Sequence, residues 1–237
     1  MDISVIVPVY NEEELIAGTL REIDSFLKSS GWEFEIIVVD DGSIDKSKET
    51  VKTLNNSKIK LLEHQRNFGK GRAVKSGMLA SSGDFLLFMD ADNSTTIDNL
   101  EHFLNQLKSN EADIVIASRD VPGAVIRSHQ SLVKERSGKF GNLLVRSLLL
   151  SDFKDTQCGF KLFKRECLKI FKKQTVDGWG FDFEILFLAK RYNFSVLELP
   201  VVWTNNPDSK VKTFDYLATL LELFKVKFNN LMRRYED

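Results

Sequence analysis

Two aspartates one residue apart, Asp90 and Asp92, close a run of five apolar residues, Phe85 to Met89. Carboxylates this close repel each other unless a cation lies between them. Their oxygens are hard ligands that suit Mg²⁺ or Mn²⁺, and Mg²⁺ is commonly shared with substrate phosphates. The spacing therefore points to a metal–diphosphate site. The alternative reading is a solvated turn after a buried strand. Other residues able to do chemistry follow other apolar runs: Tyr10 and Glu12 after residues 3–9, Asp40 and Asp41 after residues 34–39, and Arg119 after residues 114–117. Lys70 stands between two glycines, Gly69 and Gly71.

Something must bring these residues together. The runs at 3–9, 34–39, 59–62, 85–89 and 114–117 are short and largely apolar, as buried strands are. Between them lie stretches of helical periodicity, such as Leu15, Ile16, Leu20, Ile23 and Leu27. Asn11 is a candidate N-cap for that first helix, and the glutamates after it suit the positive end of its dipole. Strand–helix alternation over about 120 residues predicts an α/β fold with a mostly parallel central sheet and helices on both faces. Open sheets of this kind bind ligands at the carboxyl ends of their strands, where all these acids would collect.

The second half is less regular. Residues 123–130 read as a loop, 132–150 as a helix and 196–203 as one strand that Pro200 places at an edge. From Phe214 the chain carries Leu217, Leu221, Phe224, Phe228, Leu231 and Tyr235 in steps of three and four. That is one apolar seam on a long amphipathic helix, to be packed on the body, paired in a homodimer or laid on a membrane.

The 237 residues, 43% hydrophobic, suffice for one large domain or two small ones. The formal net charge of -1 gives no global reason to expect nucleic acid. The charge is uneven: residues 1–60 hold 12 acidic and 7 basic residues, residues 123–173 hold 4 acidic and 12 basic. A local basic segment suits an anionic partner or an anionic membrane surface. Cys158 and Cys167 make no disulfide framework and no zinc pattern, and read as reduced and structural in a cytoplasmic protein. Met1 leads straight into a strand, so no signal peptide is expected, and no apolar run approaches the roughly 20 residues of a spanning helix.

Seven motifs now stand in order: VPVYNEE (7–13), VVDDGSIDKS (38–47), NFGKGRAV (67–74), FMDADNS (88–94), ASR (117–119), DTQCGFKLF (155–163) and WTNNPDSK (203–210). Together they resemble the family 2 inverting glycosyltransferases of GT-A fold, and within them the dolichyl- or polyprenyl-phosphate sugar synthases. DTQCGFKLF and the Trp-Thr before Ser-Lys look most like the dolichyl-phosphate glucosyltransferase branch. Asn206-Pro207-Asp208 departs from the Arg or Gly that relatives often carry there, and the transmembrane helices of many relatives have no counterpart.

The resemblance implies a role for each residue. Pro8, Tyr10 and Glu12 would hold the base and ribose of a nucleotide-sugar donor. Asp41 would read the base edge, with Asp40 stabilising the turn. Lys70 would reach the nucleotide or its phosphates. In Asp90-Ala91-Asp92, Asp90 would face ribose and metal, and Asp92 would be the principal ligand of Mg²⁺ or Mn²⁺. Arg119 and Lys210 would neutralise the leaving group or the acceptor phosphate, since guanidinium forks match phosphate geometry. Asp155 and Asp182 are the candidates if a general base is used. Residues 1–210 would form the catalytic domain, with 1–120 its nucleotide half and 121–210 its acceptor half, and 211–237 a C-terminal helix.

A sugar hydroxyl would need a base, whereas a phosphate monoester is already anionic near neutral pH. The basic, leucine-rich segment favours a polyprenyl or dolichyl phosphate met at the cytosolic membrane face, with a peripheral attachment. UDP-glucose is the expected donor, transferred with inversion, and GDP-mannose or a glycan-hydroxyl acceptor is the alternative. An Asp-x-Asp phosphatase would need a second Asp-Asp site later in the chain. A nucleotidyltransferase would need a Gly-rich loop after the first strand. A non-catalytic sugar-nucleotide-binding module is the remaining rival.

Overall fold

The computed structural model describes residues 1–128, 141–205 and 213–236. Its first half alternates as expected: β1 (Ile3–Val9), α1 (Ile16–Ser30), β2 (Phe34–Asp40), α2 (Ser47–Thr53), β3 (Ile59–Glu63), α3 (Lys70–Ala80), β4 (Phe85–Met89), α4 (Leu100–Lys108) and β5 (Ile114–Ser118). Then follow β6 (Val125–Ser128), a helix over 141–148 (α5), β7 (Phe160–Lys164), α6 (Leu168–Lys173), α7 (Phe181–Arg191), β8 (Val196–Pro200), β9 (Val202–Thr204) and α8 (Thr213–Leu231). Seven strands form one sheet in the order β3-β2-β1-β4-β7-β5-β8. All neighbours are parallel except β7, which runs antiparallel to both β4 and β5.

The continuous apolar runs are explained by two cores. Val5, Val7 and Val9 of β1 face α1 and α4, while Ile6 between them faces α3 and α7. Burial on both faces removes the alternation that a half-exposed strand would show.

Several expectations are corrected. Asn11 does not cap α1, which starts at Ile16. Asn11 takes a left-handed φ of 56° and its side-chain oxygen accepts from the Ile44 amide, stitching the β1 and β2 ends together. The segment read as a loop at 123–130 contains β6, paired in parallel with β9 in a separate small sheet. The run at 196–203 is accordingly two strands, and the first, β8, is the sheet's edge strand. Part of the helix expected at 132–150 lies outside the described residues, including Lys134, Arg136 and Lys139.

The C-terminal seam is placed by packing. Leu223, Val226 and Tyr235 are buried against the α6–α7 layer. Leu217, Leu221, Phe224, Phe228 and Leu231 are 54–77% exposed and point away. Among the described residues no helix is long and apolar enough to cross a membrane. Both cysteines are free and buried, and burial pushes their thiols up to about 11 for Cys158 and about 12 for Cys167.

A charged knot ties the amino ends of the first strands. Glu35 of β2, 2% exposed, accepts from Ser4 Oγ at 2.7 Å and the Ser82 amide at 2.7 Å, and pairs with Lys60 at 2.6 Å. Burial alone would raise its carboxyl, but Lys60, Ser82 and Ser4 outweigh it and hold the pKa at about 2. A depressed folded-state pKa contributes stability above the unfolded value, near 4.3, and loses it as pH falls toward the folded value. The stability gap between wild type and Glu35→Gln is therefore expected to be full at pH 6 and to shrink toward pH 2.5. Urea midpoints at both values measure it, and a gap independent of pH would refute the assignment.

Candidate active site

The carboxyl ends of β1, β2, β4 and β5 meet on one side of the sheet, as parallel strands must. Asp90 follows β4 directly, and its amide donates to the Gly159 carbonyl at 3.0 Å. Gly159 precedes β7, so the antiparallel strand forms the floor beneath the aspartate. A Cβ on Gly159 would stand 1.9 Å from Asp90 Oδ2. Only glycine admits the carboxylate there. Ala91 is buried and its carbonyl accepts from Thr19 Oγ1 of α1 at 2.7 Å, which pins the middle of the turn. Asp92 Oδ1 accepts from the Ser94 amide at 3.0 Å. Burial, and then the neighbouring Asp90, raise the Asp92 carboxyl.

Lys70 opens α3 and places its ammonium 2.6 Å from Asp90 Oδ1. The ammonium also lies 5.3 Å from the ring centres of Phe88 and Trp179. Burial would lower its pKa; Asp90 and Asp182 outweigh burial and raise it. Asp182, in the first turn of α7, is buried and ion-paired to Lys161 of β7, itself fully buried. Lys161 also donates to the Cys158 carbonyl at 2.6 Å. Burial raises the Asp182 carboxyl against the pull of Lys161 and Lys70. Asp90, Lys70, Asp182 and Lys161 thus alternate in sign, from the partly exposed Asp90 to the buried Lys161–Asp182 pair.

A second pair stands beyond β5. Arg119 grips Asp155 bidentately, Nε to Oδ2 at 2.6 Å and an η-nitrogen to Oδ1 at 2.9 Å. Asp155 also accepts from the amides of Arg119 and Gln157. Burial would raise its carboxyl, but Arg119 outweighs burial and lowers it. A carboxylate held in this way is a weak proton acceptor. The Arg119 guanidinium lies 5.4 Å from the Trp203 ring centre.

On the β1–β2 side, Tyr10 is 37% exposed at the end of β1, directly after Pro8-Val9. The Glu12 amide donates to Ser47 Oγ at 2.7 Å, and the Glu12 carbonyl accepts from the Ile16 amide at the start of α1. Asp40 is buried and accepts from the Ser43 amide within its own turn. Asp41 accepts from the Gly69 amide at 2.7 Å and the Phe68 amide at 3.1 Å, and contacts His64 Nδ1 at 2.7 Å. Asp41 therefore fixes the loop that carries Lys70, and a base edge would share those oxygens. Lys210 lies outside the described residues.

Sequence reasoning gave no role to Lys161 or Gly159. Lys161 was detectable as a lysine inside the strand-like run Phe160 to Phe163. Gly159 lies in the motif DTQCGFKLF, but its contact with Asp90 was not readable, because the two are 69 positions apart along the chain.

The residues present fit a divalent cation. Asp90 Oδ1 is buried with no aligned hydrogen-bond donor, although Lys70 is close. Asp90 and Asp92 offer hard oxygens, and among the described residues no cluster of three His, Cys, Asp or Glu side chains is suited to a metal. The remaining positions would belong to phosphate and water, as is usual for Mg²⁺. Gly159→Ala displaces only the end of the Asp90 side chain, so the fold should survive while Mn²⁺ binding in the presence of a nucleoside diphosphate weakens at least about tenfold. Calorimetric titration checks this, and binding equal to wild type would show that Asp90 is not a ligand.

Residues 4–171 match the family described as "Glycosyl transferase family 2". The chain is 38% identical to a dolichyl-phosphate beta-glucosyltransferase of Drosophila melanogaster, over 95% of this chain and 74% of that one. It is 34% identical to one from Dictyostelium discoideum, over 97% and 75%. Among solved structures, glucosyl-3-phosphoglycerate synthase of Mycobacterium tuberculosis with Mn²⁺, uridine diphosphate and phosphoglyceric acid superposes with a TM-score of 0.71 at 18% identity, covering 99% of this chain and 78% of that one. That likeness establishes a GT-A type fold. The family match and the extent of these relatives together show that the chain belongs to glycosyl transferase family 2.

Proposed function

We propose that this enzyme transfers glucose from UDP-glucose to a dolichyl or polyprenyl phosphate, with inversion at the anomeric carbon. One observation carries the acceptor class. Both candidate bases are committed to cations, Asp155 to Arg119 and Asp182 to Lys161. A site without a ready proton acceptor suits an acceptor that needs no deprotonation, and a phosphate monoester is one. The relatives' names, dolichyl-phosphate beta-glucosyltransferase, support the same class.

In this reading residues 1–120 hold the donor and residues 121–210 the acceptor. Tyr10 stacks on the base beside Pro8, Glu12 accepts from ribose hydroxyls, and Asp41, braced by Asp40, faces the base edge. Asp90 and Asp92, held in place by Ala91, would bind Mg²⁺ or Mn²⁺; structural neighbours crystallised with Mn²⁺ and uridine diphosphate support a divalent ion. When bound, the ion supplies positive charge for the departing diphosphate. Lys70 sits where it can turn from Asp90 to a donor phosphate oxygen. Arg119 and Lys210 hold the acceptor phosphate. Its oxygen bonds to the anomeric carbon as the bond to the diphosphate oxygen breaks, a single displacement that inverts the centre.

Purified enzyme given a mixed pool of UDP-glucose and GDP-mannose with a polyprenyl phosphate should yield glucosyl-linked lipid alone. Chelation, or Asp92→Ala, should lower the rate by at least about a thousandfold with the fold intact. Mannosyl product, or transfer only to free sugar hydroxyls, would overturn the proposal.

The acceptor implies a peripheral place at the cytosolic membrane face, and the exposed stripe of α8 supports one. Leu217, Leu221, Phe224, Phe228 and Leu231 leave apolar area uncovered along one helix. Replacing Phe224 and Phe228 together by serine should abolish sedimentation with anionic liposomes while the protein stays monomeric and folded. A wild type that is dimeric by light scattering, and becomes monomeric in this variant, would assign the stripe to a homodimer instead.

A further inference from the structure

The inward side of α8 reaches the site. Glu222 Oε2 accepts from the Gly180 amide at 2.7 Å, and the carboxylate also takes the Gly178 amide. Two glycines make the approach possible. A Cβ on Gly178 would stand 2.3 Å from Glu222 Oε1, and one on Gly180 would stand 2.8 Å from Oε2. Between them is Trp179, whose ring lies beside the Lys70 ammonium, and Lys70 in turn touches Asp90. Two further ties hold α8 to the same segment: Lys225 donates to the Thr175 carbonyl at 2.8 Å and Asn229 Nδ2 to Thr175 Oγ1 at 2.9 Å. The contact path from α8 to the aspartate pair is therefore continuous, and it starts beyond residue 171, where the family match ends.

A carboxylate drawn out of water costs free energy unless its hydrogen bonds repay it. Glu222 takes that position to bind two backbone amides flanking one tryptophan. A solvated glutamate on the outer face would serve α8 equally well as a helix. We propose that Glu222 is a positioning residue: by holding Gly178 and Gly180 it fixes Trp179 beside Lys70 and makes α8 a wall of the catalytic cleft. The donor half is held separately by the sheet, so the acceptor side depends on this contact most.

The test uses Trp179 as its own probe. The chain has three tryptophans, so Trp32→Phe with Trp203→Phe leaves only Trp179. In that background Glu222→Ala should red-shift the emission and raise acrylamide quenching at least about twofold. Glu222→Gln keeps an acceptor oxygen and should stay near wild type. In the full-tryptophan protein, Glu222→Ala should lower kcat/KM for the lipid phosphate at least about tenfold, leave KM for the donor within about threefold, and leave liposome sedimentation unchanged. The kinetic readout rests on the proposed acceptor, whereas the fluorescence does not. If wild type fails to use a polyprenyl phosphate, the acceptor reading falls and the emission still decides the role of Glu222. Unchanged emission and quenching in Glu222→Ala would overturn the inference. So would equal damage in Ala and Gln variants with a lowered Tm in both, since that marks a merely structural contact.

Discussion

The site depends on keeping like charges apart where water is scarce. Asp90, Asp92 and Asp182 converge from two different elements, and unscreened carboxylates at that density would repel strongly. The chain answers with two lysines from two further elements. Lys70, at the start of α3, stands between Asp90 and Asp182, and Lys161, inside β7, neutralises Asp182 from below. Phe88 faces both ammonium groups, at 5.3 and 5.6 Å, and shares the wall between them. A buried pair is weak evidence for net stability, because desolvation offsets much of the attraction. Its consequence here is geometric: removing Lys161 leaves the buried Asp182 without its counter-ion, and removing Lys70 frees the partly exposed Asp90, so the arrangement fixes where each acid stands.

The same arrangement explains what was legible in the sequence. Each of these parallel strands announces itself locally, by a short apolar run leading to Tyr10, Asp40, Asp90 or Arg119, and the strand–helix order then places those ends together. What was not legible is long-range. β7 enters the sheet between β4 and β5 against their direction, and no local pattern reports which strands it will separate. Lys161 is therefore a lysine in an apolar run until the register sets it opposite Phe88. The end of the chain shows the same limit. Periodicity identified the stripe from Leu217 to Leu231 but not its direction, because α8 carries a second apolar face through Leu223 and Val226. Tyr235 fell in the seam's spacing yet left it, since Arg233 at a left-handed φ of 55° turns the chain back onto Glu184.

The ion pairs also constrain the chemistry. An inverting transfer to a hydroxyl places a free carboxylate at the acceptor, with a pKa suited to taking a proton. Asp155 is too well satisfied by Arg119 to take one, and Asp182 has an ammonium against it. Arg119, beside Trp203 and held by Asp155, is the cation the structure puts at the end of β5. An anionic acceptor needs no free base there. In the proposed reading the aspartate pair serves the donor, and the residues beyond β5 meet the acceptor.

Glycine is what lets the two halves meet. Gly159 gives Asp90 room against β7, and Gly178 and Gly180 give Glu222 room against the turn before α7. At Gly159 and Gly178 a carboxylate oxygen is the atom a Cβ would meet first; at Gly180 it is Phe183 Cζ, with the Glu222 oxygen next. A Cβ on Gly69 would meet the Asp177 carbonyl oxygen, and one on Gly71 would meet Phe181 Cβ and the Val176 carbonyl oxygen. The loop carrying Lys70 is thus pressed against the segment that carries Trp179 and Asp182. The two segments are in close contact there, the Phe181 side chain included. The helix that bears on the 176–180 segment through Glu222 also carries the exposed apolar stripe, so the surface proposed for the lipid and the charge pattern around Asp90 are parts of one packed unit.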